Sequence, residues 1–200
     1  MKKYLFVFVC LAVFAVPLSA QTGDAIFTQT YSNADLETGF QSAFIADDFV
    51  PVFSGDVKFV VLWMVYTAGQ PASIFLKISQ DDGSVNPNTA TYVAGGLSVA
   101  SHVDTGDDLF GQDVIKTTCT FSSAGTLSTG NTYWLEVGIP ASSYWCVQQP
   151  LVFGSTMWIY NQGQFVSTQV HLGKDYDTFF ELRTSVAIER NTWGNIKASF

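Results

Sequence analysis

The chain has 200 residues, room for one domain. Apolar residues make up 48% of it and charged residues 13%, about half the usual share, which excludes a disordered polymer and a Glu/Lys-rich coiled coil. Nine basic residues against 17 acidic ones give a formal charge of −8, the wrong sign for displacing counterions from nucleic acid, so no nucleic-acid partner is expected.

Residues 1–20 read as a secretory signal peptide. Met1-Lys2-Lys3 is basic, Tyr4 to Val16 is uncharged, and Pro17-Leu18-Ser19-Ala20 ends on a small residue. An uncharged helix of that length spans ~20 Å, short of a ~30 Å hydrocarbon core. Removal after Ala20 takes away Lys2 and Lys3 and no acid, so the formal charge moves from −8 to −10. No later run is long and apolar enough to predict a transmembrane helix. The expected destination is beyond the inner membrane: periplasmic, cell-surface or extracellular.

The body, residues 21–184, reads as strands in chain order. Ala25 to Tyr31 and Phe40 to Phe53 come first. Val57 to Tyr66 is rich in β-branched and aromatic residues and almost wholly apolar, the pattern of a central strand buried on both faces. Ala72 to Gln80 alternates, with Ile74, Leu76 and Ile78 on one face and Phe75 and Lys77 on the other. Asp113 to Phe121, Thr132 to Gly138, Tyr144 to Phe153, Trp158 to Asn161 and Thr178 to Thr184 follow, separated by Gly-, Pro- and Asn-rich turns. The prediction is an all-β, jelly-roll-like antiparallel β-sandwich of about ten strands. Residues 185–200 form a short C-terminal tail in which Trp193, Ile196 and Phe200 fall on one side of a helix, either closing onto the sandwich or docking elsewhere.

The order of motifs carries a resemblance. Asp47-Asp48-Phe49 precedes the Trp63 strand. Phe75-Leu76-Lys77-Ile78 runs into Asp81-Asp82-Gly83, then come Thr132-Tyr133-Trp134-Leu135, Trp145, Trp158 and Asp177-Thr178-Phe179-Phe180-Glu181-Leu182. Over roughly Ile26 to Thr184 this resembles secreted bacterial jelly-roll domains of unassigned activity, including those of proteins with a PEP-CTERM sorting tail. The resemblance implies an extracellular, non-catalytic, carbohydrate-binding-like sandwich. It does not extend to sorting, because no Pro-Glu-Pro signal, hydrophobic anchor or Arg-rich end is present.

Four groups of residues bear on function. Trp134, Tyr144, Trp145, Trp158 and Tyr160 are candidates for stacking on sugar rings, or are core. Asp104, Asp107 and Asp108, around Gly106, are the best local candidates for Ca²⁺, the one cofactor considered, against the plain reading of Asp as a turn residue. Cys119 and Cys146, an even count in an exported chain, predict one disulfide worth ~3 kcal/mol, against two separate buried thiols. Glu136 and Glu181 are the carboxyl pair a glycosidase on this fold would use, or ordinary solvent-facing acids. His102 and His171 carry no nucleophile signature.

The expected function is a secreted, non-catalytic module that recognises a glycan or cell-surface polymer, or serves as a surface or matrix component. The alternatives are a glycoside hydrolase on the same fold and an outer-membrane β-barrel, the latter opposed by a Val57 to Tyr66 strand that is apolar on both faces.

Overall fold

A computed structural model describes residues 23–149 and 154–184. The signal stretch 1–20 and the tail 185–200 lie outside the described residues. The chain folds as β1 (Ala25–Gln29), β2 (Leu36–Phe40), β3 (Phe44–Phe49), β4 (Gly55–Tyr66), β5 (Ser73–Gln80), β6 (Thr91–Leu109), β7 (Gln112–Leu127), β8 (Tyr133–Gly138), β9 (Ser143–Gln148), β10 (Trp158–Asn161), β11 (Gln164–Ser167), a single helical turn α1 (Thr168–Leu172), β12 (Asp177–Thr178) and β13 (Phe180–Thr184). Every strand pairing described is antiparallel.

The hydrogen-bonded path runs β1-β13-β4-β7-β6-β5-β8-β3-β10-β11, with β9 joining β2, β12 and the end of β4. One core draws on both halves of that path: Val60, Leu62 and Met64 of β4 pack with Ile74, Leu76 and Ile78 of β5 and with Leu135 and Val137 of β8. Strands so far apart along the path share a core only if the sheet folds over on itself, which makes the architecture sandwich-like. Among the described residues the path ends at β1 and β11, and its interior is mainly apolar, unlike the polar lumen of an outer-membrane barrel.

The fold-over is made by β6. Its first half pairs with β5 and its second half with β7, and Val99 faces both Ser73 and Thr120. Gly95 and Gly96 take φ of 153° and 129°, and a side chain at Gly95 would overlap the Leu76 carbonyl. The glycines and acids of this segment hid a 19-residue strand from a reading based on alternation. The segment 36–40 and the α1 turn, capped by the Ser167 hydroxyl and left-handed Gly173, were likewise not expected.

Alternation along β4 decides what lies on each side. From Val60 onward, even positions enter the inter-sheet core, whereas Val61, Trp63 and Val65 join a second apolar cluster on the outer face with Val114, Cys146 and Phe179. A third cluster of Ala46, Trp134 and Phe165 lies on the opposite outer face. There the Asn88 side chain donates to the Phe165 carbonyl at 3.1 Å and accepts from the Phe165 N–H at 2.9 Å, occupying part of the β11 edge.

The expected disulfide is absent: Cys119 and Cys146 are free thiols. Cys119 faces the inter-sheet core and Cys146 the outer cluster of β4, so the sheet itself separates them. Burial pushes both thiols up to about 12. Thiol titration of the folded protein is expected to find neither cysteine reactive, both reacting on unfolding, with the melting temperature unchanged by reductant.

The sheets are tied by a buried carboxyl. Asp47 of β3 points inward and its Oδ2 accepts from the Thr178 N–H and hydroxyl of β12, both at 2.7 Å. Burial, and then the charges of Asp177 and Asp48, hold this carboxyl well above the usual carboxylate range, against the pull of the Thr178 bonds. The folded state therefore keeps a proton that the unfolded chain releases near pH ~4, so this contribution is present in acid and is lost as pH rises through the native pKa. The urea midpoint is expected to rise as the pH is lowered from neutral toward the ordinary carboxylate range, and Asp47→Asn to flatten that rise. Asp47→Ala is expected to cost about 1–3 kcal/mol by leaving the Thr178 donors buried and unpaired.

Candidate functional site

The structure divides the five candidate aromatics among separate places. Trp145 lies in the inter-sheet core, its indole Nε1 donating to the Phe179 carbonyl at 3.0 Å. Trp134 is 1% exposed, beneath the β10–β11 hairpin, and its Nε1 donates to Asp81 Oδ1 at 3.1 Å. Neither presents a ring face to solvent, and the stacking role expected of them is corrected to core packing, the usual fate of large rings. Trp158 is half-buried against Trp134, the centroids 6.1 Å apart. Tyr160 sits at the end of an outer row in which Leu97, Phe75 and Phe44 are brought together across side-chain-free Gly138, and its ring touches Phe44 at 5.6 Å. Tyr144 lines a cleft.

The acidic candidates behave as turn formers. Asp104 Oδ1 accepts from the Gly106 N–H at 2.8 Å, and Asp108 Oδ1 from the Gly111 N–H at 3.0 Å. Between them a register shift separates the pairs Asp104↔Ile115 and Asp108↔Asp113, and Asp107 lies within the shift. Among the described residues no three His, Cys, Asp or Glu side chains are grouped to hold a metal ion.

The carboxyl pair is also separated. Glu136 shares a strand face with Trp134 and is bonded to Lys77 at 3.0 Å, whereas Glu181 shares one with Phe179 and is bonded to Arg183 at 2.6 Å. These are the two outer faces of the fold, with the whole inter-sheet core between them. A glycosidase pair requires carboxyls roughly 5–10 Å apart across one substrate. These two residues do not form one.

The cleft that Tyr144 reaches lies where the β6–β7 hairpin projects past the end of β4. It has a volume of about 490 Å³ and is lined by Gly39, Val65, Thr67, Phe110, Gln112 and Tyr144. Leu109 pairs with Gln112, so Phe110 and Gly111 are the two central residues of the hairpin turn. Both have positive φ, 59° and 71°, as a type I′ turn requires. That conformation favours Asn or Gly and costs a bulky L-residue about 1–2 kcal/mol. Phe110 nevertheless occupies it, 62% exposed, its ring edge-on to Tyr144 with centroids 6.0 Å apart.

The remaining wall is polar and fixed. Thr67 donates its hydroxyl to the Ser142 carbonyl at 2.8 Å, and its N–H reaches the same oxygen at 2.9 Å. Gln112 Nε2 donates to the Gly111 carbonyl at 2.8 Å. Gly39 keeps the floor open, because a Cβ there would stand 2.9 Å from the Tyr144 Cβ. Rings beside a few oriented polar groups are the ordinary lining of a small-molecule site.

Sequence reading singled out Tyr144 and missed Phe110, Gln112, Thr67 and Gly39. The available signal was Phe110-Gly111 itself, a two-residue turn between strand-forming runs with an aromatic where Asn or Asp is usual. No protein-family profile, curated protein or solved structure matches this chain.

Relieving the turn separates stability from recognition. Phe110→Asn is expected to raise the unfolding free energy by about 1 kcal/mol, measured by urea denaturation, because Asn-Gly suits a type I′ turn. The same variant is expected to lose ligand binding at the cleft.

Proposed function

We propose that this chain is an exported, non-catalytic β-sandwich module that binds a glycan or cell-surface polymer in the cleft beneath Phe110. The observation that carries this reading is the exposed phenylalanine held in a left-handed turn beside Tyr144. Backbone strain combined with an exposed ring costs stability twice, and a ring placed over a cleft offers a compensating role in contacting ligand. The apolar faces of sugar rings stack on aromatic side chains, and their hydroxyls bond to the hydroxyl and amide groups that Thr67 and Gln112 place on the same wall.

The signal pattern of residues 1–20 supports export, and the resemblance to secreted jelly-roll domains agrees with it. Non-catalytic binding is favoured over hydrolysis because Glu136 and Glu181 lie on opposite outer faces and are each engaged by a basic side chain. Binding is proposed to need no Ca²⁺, since Asp104 and Asp108 direct their carboxylates at turn amides.

A glycan array probed with the purified protein, in Ca²⁺ and then in EDTA, tests the reading. Signals of equal strength in both conditions are expected, reduced at least tenfold in Phe110→Asn and Tyr144→Ala. Flat signals for the unaltered protein in both conditions would sink the proposal.

A further inference from the structure

Resting on the glycan-binding reading above, we infer that the ligand is an extended, uncharged oligosaccharide spanning two adjoining subsites, so that one sugar ring fills only part of the site. A second cleft, of about 300 Å³, is lined by Tyr66, Gly69, Gln70, Gln112, Asp113 and Ile115. Gln112 belongs to both clefts. Val65 and Tyr66, consecutive residues on β4, project to opposite faces of the sheet, one into each cleft. The two therefore flank the end of β4 and meet at Gln112.

The strand register explains the opening. The last described β4–β7 pair is Val65↔Val114, while β7 continues back to Gln112, paired from there only with β6. Beyond Val65 the β4 side of the hairpin is open, and the loop following β4 forms the far bank. That loop is pinned by His102: its Nε2 lies 2.7 Å from the Pro71 carbonyl, which can only accept, so this nitrogen carries the proton. Its Nδ1 lies 3.0 Å from the Thr117 hydroxyl, which in turn bonds Tyr66 at 2.9 Å. His102 thereby positions the loop that supplies Thr67, Gly69 and Gln70.

The lining selects the chemistry of the ligand. One cleft is aromatic, with Phe110 and Tyr144; the other brings the amides of Gln70 and Gln112 beside the Tyr66 ring. Among the described residues no Lys or Arg lines either cleft, and the one charged lining group is Asp113, directly across the hairpin from Asp108. A uronate polymer would bring carboxylates against these two. A neutral chain offers ring faces to one subsite and hydroxyls to the other. The Gln112 amide, held by its bond to Gly111, stands at the junction.

Isothermal titration of the full protein with gluco-, xylo-, manno- and N-acetylchito-oligosaccharides of one, two and four units, beside oligogalacturonates of the same lengths, tests this. In at least one neutral series affinity is expected to rise by roughly tenfold or more from one unit to four, with no binding of galacturonates. Gln70→Ala, an exposed residue that lines the second cleft but not the first, is expected to remove the length dependence while leaving single-unit binding, and Asp113→Lys to admit galacturonates. Equal affinity at every length, or galacturonate binding as tight as the neutral series, overturns the inference and leaves glycan binding standing. Failure of every series to bind overturns both.

Discussion

The carboxyl of Asp47 is the point on which the two layers are registered. It sits between the sheets, accepts both polar hydrogens of Thr178, and so joins β3 to β12 through the core. Thr178 is paired with Val147 of β9, and β9 carries Tyr144 three residues earlier. A buried acid is costly unless its oxygens are engaged, so a displaced β12 would strand both partners. The same constraint that closes the sandwich thus sets the height of the strand that forms one wall of the cleft.

The neighbouring acid has a different task. Successive side chains on a strand face opposite ways, so Asp48 turns outward where Asp47 turns inward. Its Oδ1 accepts from the Ser155 N–H and hydroxyl, both at 2.8 Å, anchoring the segment that leads into β10. Gly154, at φ 60°, lies so close to that carboxylate that a side chain would overlap it. An Asp-Asp pair therefore fastens two separate pieces of the fold, one through the core and one over the outer face.

Strand identity was legible wherever hydrophobic alternation or β-branched runs dominated, as in β4, β5 and β8. The buried double-faced character of Val57 to Tyr66 is the clearest case, because both of its faces meet apolar clusters. It was illegible in β6, where Gly95, Gly96 and the acids serve a strand that bends from one layer to the other. Of the cleft only Tyr144 was visible. Phe110 could not be placed without knowing that Leu109 and Gln112 pair, and Thr67 and Gly39 acquire meaning only from what lies across from them. The cysteines failed as a disulfide signal because parity of count says nothing about which face of a sheet each thiol occupies.

The sequence by itself determined the strand-rich architecture, the acidic charge balance and the aromatic endowment, since these follow from composition and from periodicity along a single strand. Tertiary structure alone decided which aromatics serve packing and which remain outside, that Glu136 and Glu181 stand on opposite outer faces, and that one hairpin overhangs the end of β4. The reason is geometric. Alternation assigns a side chain to one of two faces of its own strand, but whether that face meets a core, solvent or a cleft depends on strands far away in sequence.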